Sequence, residues 1–292
     1  MVTKGILLAG GLGSRLFPLS IGTNKHLLPV HDKPMIYYPL STIMLGGIRD
    51  ILVISGAEHL PAFERLLGDG RELGVRITYA AQSAPRGIAD ALIVAESFLA
   101  GDGCLLALGD NLFWGHLDFL REALAHERGA TIFAYPVEDP SRYGVVTLDA
   151  HGVIVALDEK PSRPRSQLAI PGLYVVDGSA VELAKTLAPS PRGELEITDV
   201  LRAYLRQGEL RVTRLGRGMA WLDMGTSQSL LAATELVRAI ELRQGLRIGC
   251  LEECALRMRY RSPAERRAAV ARYPLCEYRA YVESILDAGI DD

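Results

Sequence analysis

The chain has 292 residues, 49% hydrophobic and 23% charged, with a formal net charge of −3. That is enough apolar chain for one large α/β domain with an appendage; the balance of charge gives no reason to expect nucleic acid as a partner, and no apolar run is long enough to span a bilayer. Met1-Val2-Thr3-Lys4-Gly5 carries no signal-peptide pattern, and Cys104, Cys250, Cys254 and Cys276, spread without a CxxC pair, read as reduced thiols of a cytoplasmic protein.

Gly5-Ile6-Leu7-Leu8-Ala9 is an apolar run short enough to be a buried strand. Gly10, Gly11 and Gly13 follow, then Ser14 and Arg15, with Lys25 beyond a polar loop. Glycines after a strand let backbone N–H groups approach an anion closely, because no Cβ stands in the way. Arg15 adds a planar fork of donors for phosphate oxygens and Lys25 a mobile point charge. The competing reading is a tight turn with two solvated cations. A Walker A loop would need Lys-Ser/Thr after its last glycine, where this chain has Ser14-Arg15. A dinucleotide fingerprint would need a third glycine where Leu16 stands, and Pro18 interrupts any helix there.

Residues 35–45 predict a buried helix with Pro34 at its start and Gly46-Gly47 as its stop. Strands are expected at 51–55, 75–81 and 104–108, helices at 60–67 and 88–99, and a loop from Gln82 through Pro85 to Gly87. This alternation implies a mainly parallel sheet covered on both faces. Ligands in such sheets sit beyond the carboxyl ends of the strands, where the glycine loop, Gln82 and Asp110 all fall. Past Gly129 the pattern changes. Residues 130–137 predict a strand, 142–148 and 153–157 a hairpin around Asp149-Ala150-His151-Gly152, and 170–176 a strand with Gly172 inside it. A helix opens over 193–199, a strand covers 211–215, and a long helix follows Asp223; the rest reads as helical.

Asp110 sits behind Gly109 at a strand end, and Asp223 follows an apolar segment. Mg²⁺ prefers oxygen ligands and keeps several waters, so two carboxylates plus substrate phosphates suffice. The alternative for each is a helix N-cap. Pro161 forces Lys160 away from helical angles, and Gly144 and Gly172, expected in adjacent strands, make room for a ligand beside it. The bland reading of Lys160 is a solvated lysine. Gln82 either meets a base edge or ties down its own loop.

Gly10-Gly11-Leu12-Gly13-Ser14-Arg15-Leu16, Lys25 with Leu27-Leu28-Pro29-Val30, Leu108-Gly109-Asp110-Asn111, Arg142-Tyr143-Gly144-Val145, Glu159-Lys160-Pro161, Gly172-Leu173-Tyr174, Gly193 to Asp199 and Trp221-Leu222-Asp223, in this order, resemble the sugar nucleotidyltransferases, and among them those that use thymidine nucleotides. The resemblance runs from about Gly5 to Glu253 and thins after Met258. It implies an α/β fold with a Rossmann-like mixed, mainly parallel sheet flanked by helices. A nucleotidyltransferase domain would span 1–245, its nucleotide half about 1–128 and its small β sugar-binding half about 129–245, with a helical C-terminal appendage over 246–292. The implied reaction is dTTP plus α-D-glucose 1-phosphate giving dTDP-glucose and pyrophosphate, with Mg²⁺ as cofactor, at the head of dTDP-deoxysugar synthesis. By the same resemblance Leu8, Gly10, Gly11, Gly13, Ser14, Arg15, Gln82, Pro85, Gly87, Ile88 and Asp110 bind nucleotide. Asn111, Tyr143, Gly144, Glu159, Lys160, Ile170 and Tyr174 bind the sugar phosphate, Asp110 and Asp223 hold the metal, and Arg15, Lys25, Asp110, Lys160 and Asp223 carry catalysis. It also implies a homo-oligomer, a tetramer, whose C-terminal region packs subunits and holds a regulatory nucleotide site.

The chain departs from that resemblance at three places: His26 stands for Gln, Ile88-Ala89-Asp90 for Leu-Ala-Gln, and Met224 for Thr. For the base, Gln82 is expected to meet thymine N3–H with its carbonyl and O4 with its NH₂, the Gly87 N–H to face a carbonyl, and Leu8 and Ile88 to wall the ring. The rival readings are a UTP-preferring enzyme and a catalytically silent regulatory relative; the presence of Arg15, Lys25, Asp110, Lys160 and Asp223 disfavours the second.

Overall fold

The computed structural model describes residues 1–11 and 13–289. Leu12 of the glycine loop and the last three residues of the expected appendage lie outside the described residues. β1 (Lys4–Leu8) leads through two 3₁₀ turns, Ser14–Leu16 and Lys25–Leu27, to a small hairpin of β2 (Pro29–Val30) and β3 (Lys33–Pro34). Then come α1 (Tyr37–Leu45), β4 (Asp50–Ser55), α2 (Leu60–Leu67), β5 (Arg76–Ala81), α3 (Asp90–Val94), α4 (Glu96–Leu99), β6 (Cys104–Leu108), β7 (Asn111–Trp114) and α5 (Asp118–Leu124). A strand-rich stretch follows: β8 (Ala130–Pro136), β9 (Gly144–Leu148), β10 (Ile154–Glu159), β11 (Leu168–Ile170) and β12 (Leu173–Val176). After α6 (Ala180–Lys185), α7 (Ile197–Gln207), β13 (Leu210–Arg214), β14 (Ala220–Asp223) and α8 (Ser227–Gln244), the described chain ends in α9 (Leu251–Arg257), α10 (Pro263–Val270) and α11 (Glu277–Ala288).

Ten strands form one sheet in the order β10-β9-β11-β8-β12-β6-β1-β4-β5, with β13 beside β8. β6, β1, β4 and β5 run parallel, so Leu8, Ile54 and Leu108 end level with one another. β12 is antiparallel to β6 and β8, and β9 and β10 form the expected hairpin. The central strands are apolar without a break because both faces are buried. Ile6 and Leu8 enter one core with Leu52, Ile54 and Leu106, whereas Leu7 enters the other with Val53 and Leu105. The class inferred from sequence, a mixed sheet between helices with a helical C-terminal part, is the one the chain forms.

Several elements differ from the sequence expectation. Pro34 belongs to β3 and α1 begins at Tyr37, with Pro39 in its first turn, where a missing N–H costs nothing. The helix expected over 88–99 is two short ones that meet at Ala95. The strand expected over 170–176 is two strands, because the chain changes partners at Pro171-Gly172: β11 pairs with β9 and β8, β12 with β8 and β6. Gly172 is therefore in the link, not inside a strand. A Cβ there would lie 2.6 Å from Leu108. The helix expected from Gly193 begins only at Ile197, and β7, α5 and α6 had no counterpart in the sequence reading.

Candidate active site

The carboxyl ends of β1, β5 and β6 converge on a cavity of about 180 Å³. Leu8, Gly10, Gly11, Gln82, Pro85, Gly87, Ile88 and Asp110 line it, as does Lys25. Gly10 is there for closeness, since a Cβ on it would lie 2.9 Å from Gln82 Oε1. Gly87 has φ +105°, and a Cβ on it would lie 2.4 Å from the Leu195 carbonyl oxygen. That contact follows from backbone pairing: the Leu195 N–H donates to the Arg86 carbonyl at 2.7 Å and the Ala89 N–H to the Leu195 carbonyl at 3.1 Å. The same pairing brings Glu194 to the cavity wall. Glu194, His26 and Leu108 also line the cavity, though none was assigned to the site from sequence. Gly13, Ser14 and Arg15 are not on this wall. Gly13 (φ +60°) packs on Lys25 and Ser20, Ser14 opens a 3₁₀ turn, and Arg15 reaches the other side of the site beside Gly225 and Asp223.

Of the two tasks proposed for Gln82, the structure shows the tying down of its own loop. Its Nε2 donates to Asp90 Oδ2 at 2.8 Å and points at the Gly87 carbonyl at 3.4 Å, which ties the loop down. Its Oε1 faces Gly10. The expectation that its NH₂ meets a base carbonyl is therefore corrected, because those hydrogens face protein acceptors.

Asp110 is buried at the end of β6. Burial opposes its ionisation, but Lys25, which forms an ion pair with Oδ2, and Asn111 Nδ2, which donates to Oδ1 at 3.0 Å, hold its carboxyl well below the usual range. Asn111 Oδ1 in turn accepts from Trp221 Nε1 at 2.6 Å and the Gly172 N–H at 3.0 Å, so the ribbon β7–β14 is stitched to the main sheet here. Asp223 stands opposite Asn111 in that ribbon, and the Met224 N–H donates to the Asp110 carbonyl at 2.8 Å. Burial, then the neighbouring Asp110, pushes the Asp223 carboxyl up; Arg15 and Arg142, the latter at 3.2 Å, oppose the rise. Neither aspartate is a helix cap. Asp110 leads into β7, and Thr226 caps α8 by accepting from the Ser229 N–H. Two neighbouring carboxylates, the charge of Asp110 raising the cost of ionising Asp223, form a donor set suited to a hard divalent cation.

Behind this pair lies His26, buried, its Nδ1 2.7 Å from Asn24 Oδ1, which also accepts the His26 N–H at 2.9 Å. Burial, then Lys25, holds the imidazole down to a pKa of about 3, so it is neutral at physiological pH.

On the far side, Gly144 aligns with both Glu159 and Ile170, and a Cβ on it would come within 3.6 Å of each. Lys160 follows with φ +42°, a conformation uncommon outside glycine, held by its N–H to the Tyr143 carbonyl at 3.0 Å. Its Nζ is 3.6 Å from Glu159 Oε1. Tyr174 is buried, and burial, then Glu159 and Asp110, raises its phenol well above the ordinary range. Tyr143 packs edge-on against Trp221 at 5.0 Å. Arg192, not singled out from sequence, pairs with Glu159 at 3.3 Å; its only local signal was the glycine next to it.

This arrangement belongs to a recognised class. The sequence profile of the Nucleotidyl transferase family matches residues 4–239, and the chain belongs to that family. Its relatives include the glucose-1-phosphate thymidylyltransferase of Xanthomonas campestris pv. campestris (strain B100), 54% identical over 254 residues that cover 86% of each chain. The glucose-1-phosphate thymidylyltransferase of Actinoplanes sp. is 49% identical over 290 residues, 98% of this chain and 95% of that one, so the match there extends through the C-terminal helices. Among solved structures, a Bacillus anthracis protein provisionally named a glucose-1-phosphate thymidylyltransferase, in complex with a sucrose, superposes with a TM-score of 0.75 at 41% identity, covering 80% of this chain and 95% of that one.

Proposed function

We propose that the protein transfers a thymidylyl group from dTTP to α-D-glucose 1-phosphate with Mg²⁺, releasing pyrophosphate and dTDP-glucose, and so opens a dTDP-deoxysugar route such as that to rhamnose. The observation that carries this reading is the placing of Gly10, Gln82, Gly87, Lys25 and Asp110 around one cavity, next to Asp223. The relatives named for this reaction, 49–54% identical, support the same substrates. The sugar phosphate is already an anion at neutral pH, so no protein nucleophile is needed, and catalysis is positioning and charge stabilisation. The glycine turn and Arg15 hold the triphosphate, with Lys25 neutralising charge near Asp110. Gly144, Glu159, Ile170 and Tyr174 receive the sugar, and Lys160, with Tyr143 and Asn111 nearby, orients its phosphate for in-line attack on the α-phosphorus. Asp110 and Asp223 would hold Mg²⁺, which when bound neutralises charge on the phosphate oxygens.

The division into a nucleotide half, a sugar half and an appendage from residue 246 is part of this proposal, as are a cytoplasmic location and a homotetramer. The free thiols of Cys104, Cys250 and Cys254, all buried, support a reducing compartment. Among the described residues no helix is long and apolar enough to cross a membrane. The test is pyrophosphate release across five nucleotides and several sugar 1-phosphates. dTTP with glucose 1-phosphate should lead, UTP should follow, since a methyl-sized contact discriminates by only ~1–3 kcal/mol, and dCTP, ATP and GTP should trail far behind. A purine nucleotide in first place would overturn the base pocket, and no release with any pair would overturn the transfer reading.

A further inference from the structure

We propose that Asp90 sets selectivity between pyrimidine bases by fixing which way the Gln82 amide points. This rests on the reading of the same cavity as a nucleotide pocket. Asp90 is 2% exposed at the start of α3, and both its oxygens are engaged. Oδ2 accepts from Gln82 Nε2 at 2.8 Å, and Oδ1 lies 3.2 Å from Arg86 Nη2. The Gly87 carbonyl lies 3.4 Å from the same Nε2. The Gln82 NH₂ therefore faces two groups that can accept a hydrogen bond and cannot donate one. Turning the amide over would set Oε1 against a carboxylate oxygen and a carbonyl oxygen, acceptor on acceptor in a buried place.

What remains for a ligand is Oε1, beside Gly10 on the cavity wall, as a fixed acceptor. Thymine and uracil carry N3–H, a donor, in the middle of their pairing edge; cytosine carries a bare N3, an acceptor. A freely turning glutamine would serve either. With Asp90 in place the cavity attracts the first and repels the second, a repulsive element that supplies specificity. Asp90 is thus a positioning residue that acts through Gln82, and it stands at one of the three places where the chain departs from its family resemblance.

Equilibrium binding of dTDP and dCDP, measured by calorimetry without turnover, tests this in wild type, Asp90→Asn and Asp90→Ala. Asparagine keeps the shape but offers either an oxygen or an NH₂ to Gln82, and alanine removes the acceptor. The ratio of dTDP to dCDP affinity should fall by about tenfold or more in each variant that folds, the scale expected of one hydrogen bond to a charged group. A ratio preserved within about twofold while both affinities fall together would make Asp90 a structural residue of the loop and overturn the inference, as would a wild type indifferent to the base. A wild type that binds dTDP selectively but releases no pyrophosphate would sink the transfer reading and leave this one standing.

Discussion

The two walls of the cleft are built by different means. On the side of the parallel strand ends, Asn24, His26, Gln82, Asp90, Asp110 and Asn111 are all at most 7% exposed, and each is bonded to another protein group. On the side of the antiparallel strands, the side chains of Lys160 and Arg192 are 43% and 38% exposed and face Glu159 at 3.6 and 3.3 Å. Charges of the first kind act in a medium that screens them little, so they are fixed before substrate arrives. Charges of the second kind are screened, contribute little to stability, and are able to re-form around a ligand. The buried wall should govern rate and folding, and the open wall should govern affinity for the sugar phosphate.

The largest effect expected on that contrast comes from the two aspartates. Asp110→Asn and Asp223→Asn should each reduce kcat by ~10²-fold or more, the scale of several kcal/mol of lost charge stabilisation. Their effects on stability should differ in sign. The Asp110 carboxyl is depressed, so its charged form stabilises the fold, and its loss takes the ion-pair partner from the half-buried Lys25. The Asp223 carboxyl is raised, so its charged form opposes folding at neutral pH, and asparagine relieves it. Steady-state kinetics with thermal melts at pH 7 would show equal rate losses but a lower Tm only for Asp110→Asn. Near-normal turnover in Asp223→Asn would take that residue out of the metal site.

The same contrast explains what could be read from sequence. The glycine turn, Gln82 and Asp110 were legible because each is a local signal at a strand end, and strand ends of a parallel sheet are where a site forms. Glu194 was not, because it reaches the cavity through backbone pairing of residues 195 and 86–89, which no local pattern announces. Asp90 stood out in the sequence only as a departure from the family pattern; its role is visible in its contact with Gln82. Arg15 was legible as a cation after glycines, but its place beside Asp223 depends on the packing of β14 against β7. The change of strand partners at Pro171-Gly172 was hidden for a similar reason, since an unbroken apolar run does not say which neighbour each residue has.

A smaller effect separates two lysines. Lys160→Ala should raise the KM for glucose 1-phosphate by about tenfold, leave kcat within a few-fold, and change stability by no more than ~0.5 kcal/mol, as for other partly exposed charges. Lys25→Ala should do the reverse, lowering kcat with little change in that KM, because its partner Asp110 lies in the buried wall. Exchanged outcomes in the kinetics would dissolve the distinction between the walls.

The smallest effect is silent at pH 7 and concerns His26. Its imidazole is held to a pKa of about 3, by burial first and by Lys25 second, against 6.5 in the unfolded chain. Below 6.5 the unfolded chain binds a proton that the folded chain refuses. Stability from this group is therefore complete above pH 6.5 and is lost as pH falls toward 3. Between pH 6.5 and 5.5 the loss is about 1 kcal/mol. His26→Gln keeps a side chain able to donate to Asn24 Oδ1 but takes up no proton, so its stability should be flatter over that interval by the same amount. The depressed carboxyl of Asp110 acts below its unfolded value of 3.8, clear of the window from 6.5 to 5.5; the raised carboxyl of Asp223 acts above 3.8 but is present in both proteins, so its contribution cancels in the comparison. Urea unfolding of the two proteins at pH 7.5, 6.5 and 5.5 supplies the comparison. Midpoints that fall in parallel would mean that His26 gains its proton in the folded state, and that the floor beneath Lys25 and Asp110 is wetter than its packing implies.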